Sequence, residues 1–143
     1  MKIGVLTGGG DCPGLNAVIR AVVLRGTREW GHEFTGYLDG WKGPLENESI
    51  ELGVDEVRGI LAQGGTILGS SRTNPEAIEG GVDQVIDNVR AAGLARLRCG
   101  GRAPPGALAS QLPAGHIRSS RRVGRTRSAG ASPPVVGARV HVR

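Results

Sequence analysis

The sequence predicts an α/β fold, a parallel sheet with helices on both faces, and three observations carry that expectation. An apolar run at the N-terminus, Lys2 to Thr7, meets the glycine turn Gly8-Gly9-Gly10 and is followed by a helical apolar pattern. A second run, Glu33 to Leu38, alternates polar with apolar residues up to the turn signal Asp39-Gly40, which completes a strand–helix–strand unit. A further helical pattern places Val82, Val85, Ile86 and Val89 on one face and ends at Gly93. With 143 residues the chain has the size of one ordinary domain.

Taken in order, the elements follow from local chemistry. Asn16 is the expected N-cap of the first helix, in which Ala17, Val18, Ala21, Val22 and Leu24 recur at helical spacing until Gly26 or Gly31. Trp41-Lys42-Gly43-Pro44 reads as a loop, Ser49 to Leu52 as short extended structure, and Asp55 as the cap of a helix through Ala62, stopped by Gly64-Gly65. Thr66-Ile67-Leu68 is too short for periodicity to assign. The surrounding Gly64, Gly65 and Gly69 imply backbone packed close to something, a ligand being one candidate. Asn74-Pro75 supplies a cap and then proline at the first helical position.

An alternating fold next requires an apolar strand, but Ala95-Arg96-Leu97-Arg98-Cys99 interrupts its apolar residues with arginines, so that strand is expected to be absent or spoiled. Beyond it, Pro104-Pro105 and Pro133-Pro134 break structure and no apolar period is sustained. The division therefore falls at Leu94, with 1–94 a folded but incomplete domain and 95–143 an Arg/Pro/Gly-rich, disordered tail.

Charge divides at the same point. Residues 1–94 carry all 13 acidic residues against eight Lys and Arg, a net of −5, whereas 95–143 hold ten arginines and no carboxylate. Such a tail attracts polyanions through charge alone. It has no interleaved aromatics to stack on bases, so no specific nucleic-acid partner is expected. Cys12 and Cys99 show no metal-ligand or redox spacing. Without a leader-like N-terminus or a membrane-length apolar run, cytoplasm is the default location and no membrane partner is expected.

The chemistry points to phosphate. Leu6-Thr7-Gly8-Gly9-Gly10-Asp11-Cys12-Pro13-Gly14 lies between a strand and a helix, where glycines admit an anion to the backbone and the helix start favours its charge. It is neither a P-loop nor a G-x-G-x-x-G turn. In the second glycine segment, Gly69-Ser70-Ser71-Arg72-Thr73, Arg72 offers a forked donor and the hydroxyls add more. Standing alone, the turn is equally a tight βα connection, and Arg72 a solvated surface residue. Asp11 is read as a helix cap or an organiser of the turn, Cys12 as a packed, unreactive thiol, and Trp30 and Trp41 as packing residues.

Together these residues carry a resemblance. Ile3-Gly4-Val5-Leu6-Thr7-Gly8-Gly9-Gly10-Asp11-Cys12-Pro13-Gly14-Leu15-Asn16-Ala17-Val18-Ile19-Arg20 resembles the opening of the 6-phosphofructokinases. Gly36-Tyr37-Leu38-Asp39-Gly40-Trp41 resembles that family's next strand and turn, and Gly64-Gly65-Thr66-Ile67-Leu68-Gly69-Ser70-Ser71-Arg72 its second phosphate-site segment. The resemblance covers about two-thirds of the chain. It implies a Rossmann-like phosphofructokinase N-terminal domain in which Gly9 sits against the phosphoryl donor, Arg72 and Thr73 contact its phosphates, and Arg72 neutralises charge during transfer. Arg20 matches an effector-site arginine of allosteric bacterial members, but Leu24 stands where a second effector arginine often occurs, so a structural helix arginine is the favoured reading.

The implied activity is phosphoryl transfer from ATP, with magnesium, to the 1-hydroxyl of fructose 6-phosphate in glycolysis, by enzymes that form homo-oligomers. The alternatives are a pyrophosphate donor or a non-catalytic nucleotide-binding fragment. The family's acidic Gly-Gly-Asp or Gly-Gly-Glu metal motif and its Thr-Ile-Asp-Asn-Asp catalytic segment are both missing from 95–143, and Arg102 follows Gly100-Gly101 in place of a carboxylate. No catalytic residue and no metal ligand is therefore assigned. The chain is expected to be a truncated, inactive form whose tail is a frameshift product.

Overall fold

In the computed structural model, which describes residues 1–10, 12–101 and 117–119, the apolar N-terminal run is strand β1, Lys2–Gly8, at the centre of a five-stranded sheet. Helix α1, Leu15–Trp30, returns the chain to β2, Glu33–Tyr37, which lies parallel to β1 with Phe34 opposite Ile3. A short helix α2, Lys42–Glu46, leads to β3, Ser49–Glu51, antiparallel to β2. Helix α3, Gly81–Ala91, leads to β4, Arg96–Gly101, parallel to β1 on its other side, and β5, Ile117–Ser119, runs parallel to β4. The order is β3-β2-β1-β4-β5. The expected α/β architecture with helices on both faces holds, and the sheet is mixed through its antiparallel edge strand β3.

Alternation along β1 divides its side chains between two cores. Ile3 and Val5 pack with Ile19 and Val23 of α1 and with Phe34. Leu6 joins Tyr37, Trp41 and Leu45 beside Val85, Ile86 and Val89 of α3. Close approach makes glycine necessary at Gly4, where a Cβ would stand 2.7 Å from Leu97 Cδ1 and 2.8 Å from Leu94 Cδ1. Both leucines seat against the sheet because nothing projects there.

Several expectations are corrected. The strand after Gly93 is neither absent nor spoiled: β4 pairs with β1 over six residues, and its Leu97 and Cys99 are buried at 1% and 2% exposure. Alternation separates them from Arg96 and Arg98, which line a groove beside α1. The tail boundary at Leu94 thus precedes a core strand. The disorder expected further along falls on residues 102–116 and 120–143, which lie outside the described residues.

Helix α1 starts one residue before Asn16, and its N-cap is Gly14, in the left-handed region at φ 93°. Its buried stripe is Leu15, Asn16, Ile19, Val23 and Gly26, leaving Val18 and Val22 exposed. Residues 41–44 begin a helix rather than a loop. The helix expected from Asp55 to Ala62 is a run of turns ending in a 3-10 turn, Ile60–Ala62, because Gly59 at φ 80° interrupts the right-handed path. Asn74 caps only the 3-10 turn Pro75–Ala77, its Oδ1 accepting the Glu76 N–H at 3.2 Å, and α3 starts afresh after Gly80. Trp41 is a packing residue, whereas Trp30 is 58% exposed with the Arg25 guanidinium 5.5 Å from its ring. Cys12 is exposed, not packed.

Candidate functional site

The carboxyl ends of the central strands form one edge. Register sets Thr7 beside Gly100 and Gly8 beside Gly101, so β1 and β4 end together. Gly9 leaves β1 at φ 92°, a conformation that a side chain makes costly. A Cβ at Gly10 or Gly14 would meet nothing within 4 Å, so the turn presents open backbone. Helix α1 then begins with no side-chain cap and no acidic residue in its first turn. Among the described residues no anion sits at its first N–H groups and the positive end of its dipole. Asp11, expected to cap or organise this turn, lies outside the described residues.

The second glycine segment is brought against this edge by side chains. Thr7 Oγ1 donates to the Gly69 carbonyl at 2.5 Å and lies 3.2 Å from Thr66 Oγ1. Asn16 Nδ2 donates to the Gln63 carbonyl at 3.1 Å, while the Ile67 N–H donates to Asn16 Oδ1 at 2.8 Å. From the strand side, the Asp39 N–H donates to the Leu68 carbonyl at 2.7 Å, and Ser71 Oγ donates to the Asp39 carbonyl at 2.6 Å. The glycines flanking Thr66-Ile67-Leu68 therefore let backbone pack against protein. A Cβ at Gly69 would land on the Asp39 carboxylate, and one at Gly40 would stand 2.9 Å from the Thr7 carbonyl.

Ser71 is thus fixed, and Arg72 follows it directly into solvent. Arg72 is exposed and has no ion pair or hydrogen bond among the described residues, while the Thr73 N–H donates to Ser71 Oγ at 3.3 Å. These ties bring the segment that precedes Arg72 and Thr73 against Thr7, two residues before Gly9. Arg20 lies in the second turn of α1, half-buried, and its side chain has no partner among the described residues. Sequence reasoning missed Thr7 as a tether and assigned Asn16 to a cap. The available signal was a polar residue at the buried end of an apolar strand, and another on the buried stripe of the helix that follows it.

Burial pushes the Cys99 thiol up to about 11, with a smaller opposing pull from a Gly8 backbone hydrogen bond, so this core cysteine stays neutral and unreactive. Among the described residues no three His, Cys, Asp or Glu side chains gather into a metal-holding group. The Asp39 carboxylate is packed against Gly69. Among the described residues that donor set does not fit a magnesium ion held by protein carboxylates. A groove of about 670 Å³ between α1 and strands β1 and β4, lined by Val18, Val22, Trp30 and Phe34, approaches the glycine edge only at Thr7 and Gly100.

An α/β sheet with helices on both faces, a glycine turn between its central strand and the following helix, and a second glycine segment tied to the carboxyl edge define the class of nucleotide-binding-type α/β folds. The family model described as Phosphofructokinase matches residues 2–110, and the chain belongs to the phosphofructokinase family. It is 60% identical over 97 residues to the pyrophosphate–fructose 6-phosphate 1-phosphotransferase of Streptomyces coelicolor, a match covering 68% of this chain and 28% of that one. It is 57% identical over 94 residues to the ATP-dependent 6-phosphofructokinase 3 of the same organism, covering 66% and 28%. The phosphofructokinase structure from Saccharomyces cerevisiae superposes with a TM-score of 0.64 at 34% identity, over 70% of this chain and 14% of that one. The chain thus spans a little over a quarter of the length of these curated relatives. No helix among the described residues is long and apolar enough to cross a membrane.

Proposed function

We propose that this chain is the phosphoryl-donor-binding portion of a 6-phosphofructokinase, the phosphotransferase that moves a phosphoryl group from ATP to the 1-hydroxyl of fructose 6-phosphate, giving fructose 1,6-bisphosphate in glycolysis. The observation that carries this reading is the exposed Arg72, without an ion pair among the described residues, in a segment that Thr7 and Asn16, the residues either side of the glycine turn, tie down. In this role the Gly9 backbone lies against the donor, the α1 N–H groups donate to its phosphate oxygens, and Arg72 with Thr73 grips the phosphates. Arg72 also withdraws charge as the phosphoryl group departs. Fructose 6-phosphate binding and homo-oligomer formation belong, in this reading, to the remainder of a full-length enzyme.

Transfer further requires a group that accepts the sugar hydroxyl's proton. The sequence holds no Thr-Ile-Asp-Asn-Asp segment, and Arg102 follows Gly100-Gly101. The chain therefore binds donor without turning over. Residues beyond β4 supply none of the chemistry, and their acid-free composition fits a shifted reading frame. Sequencing the source DNA tests that point, since a single clean frame with no neighbouring frame encoding the missing motifs contradicts it.

A second reading, pyrophosphate as donor, is favoured by the name of the relative that is 60% identical. Calorimetric titration of the chain with ATP and with pyrophosphate separates the two. The donor binds, and Arg72→Ala weakens binding by about 10- to 100-fold, as loss of charge-assisted hydrogen bonds implies. Equal binding by wild type and Arg72→Ala refutes the site. Coupled turnover with fructose 6-phosphate and magnesium above a heat-killed control refutes the claim of inactivity.

A further inference from the structure

The segment from Gln63 to Asn74 carries no helix or strand, yet it bears Arg72. Something other than ladder hydrogen bonds must hold it. Two polar side chains, Thr7 at 1% exposure and Asn16 at 3%, are buried beneath it, and both spend their hydrogen bonds on it. Thr7 is the last residue but one of the strand before the glycine turn, and Asn16 is the second residue of the helix after it. The turn is therefore bracketed by the two residues that grip the Arg72 segment.

We propose that Asn16 and Thr7 are positioning residues that lock the Arg72 segment onto the glycine turn, so that backbone and guanidinium address the same polyphosphate. This rests on the donor-site reading above. The amide of Asn16 is used at both ends: its oxygen accepts the Ile67 N–H and its nitrogen donates to the Gln63 carbonyl, closing the loop from Gln63 to Ile67 like a clasp. Thr7 holds the next turn through the Gly69 carbonyl, and Thr66 Oγ1 links the two by accepting the Leu68 N–H at 3.2 Å. Asp39 continues the path through Leu68 and Ser71 to the residue before Arg72. Neither Asn16 nor Thr7 has to touch the ligand. Each acts by fixing where Arg72 is.

The test is a double-mutant cycle on the full chain, with inorganic pyrophosphate as the probe, comparing wild type, Asn16→Ala, Arg72→Ala and the double variant. Asn16→Ala lowers pyrophosphate affinity about tenfold, roughly the loss of one or two hydrogen bonds' worth of ordering. In that background Arg72→Ala costs little more, because a displaced arginine has nothing left to lose. A merely stabilising asparagine lowers the melting temperature but leaves the two effects additive, and that outcome overturns the proposal.

Amide exchange provides a readout free of the ligand. The Ile67 N–H is protected in wild type and loses protection in Asn16→Ala. An unprotected Ile67 in wild type also overturns the proposal, whatever binds. If Asn16→Ala does not fold, Thr7→Val breaks the other tie at nearly constant volume, with the same coupling expected and the same additivity overturning it. Failure of Arg72→Ala to affect wild-type binding strikes the donor-site reading itself, whereas additivity with Arg72 still effective strikes only the role of Asn16 and Thr7.

Discussion

Gly26→Ala poses two effects of opposite sign on the helix that opens the candidate site. Gly26 lies inside α1 and is buried against Phe34 of β2. In an exposed helix interior, alanine in place of glycine stabilises by about 1 kcal/mol. Here a Cβ would fall on Phe34 Cζ and stand 2.6 Å from Cε2, so the ring, only 3% exposed, must shift from its packed position to admit it. Overpacking of this kind costs about 1 to 3 kcal/mol. The steric term wins, with a net loss of about 1 kcal/mol, or a melting temperature lower by roughly 4 to 8 °C for an ordered region of this size. Thermal unfolding followed by circular dichroism measures it. Pairing Gly26→Ala with Phe34→Leu relieves the clash and recovers part of the loss. A melting temperature that rises in the single variant refutes the packing argument and leaves helix propensity in command.

Leu97→Ala tests β4: burial at 1% exposure implies a loss of about 2 to 5 kcal/mol, whereas a spoiled strand would leave chemical denaturation unchanged. Gly9→Ala strains a residue at φ 92° and costs about 1 to 2 kcal/mol of stability, and it also weakens pyrophosphate binding, readable in the same calorimetric titration. Cys12, exposed, reacts with a thiol reagent in the native chain, whereas buried Cys99 reacts only on unfolding, as mass spectrometry of the labelled peptides will record. The raised Cys99 thiol is neutral in the fold and ionises more readily when unfolded, so it stabilises fully below about pH 9. That contribution, on the order of 2 to 3 kcal/mol, is lost as pH rises toward about 11. Cys99→Ala flattens that part of the pH–stability curve, and an unchanged slope contradicts the assignment; the Tyr37 phenol, also raised by burial, keeps its own share at higher pH.

By itself the sequence determined the fold class, the strand–turn–helix opening, the second glycine segment with Arg72 and the resemblance to phosphofructokinases. These are local matters. Glycines, caps and apolar periods act over a few residues, and the motif residues stand in contiguous runs. Tertiary structure decided which stripe of α1 is buried, because Ala17, Val18, Ile19, Val22 and Val23 offer apolar choices all round the helix and only the sheet selects Ile19 and Val23. It also decided β4. Two arginines made that strand look spoiled, yet a period of two turns them away from Leu97 and Cys99, and pairing with β1 supplies the hydrogen bonds that local propensity did not promise. The roles of Thr7 and Asn16 were beyond local reading altogether. Their partners lie 47 to 62 residues away, and a buried polar side chain declares its function only when the chain has folded and the group that satisfies it has arrived.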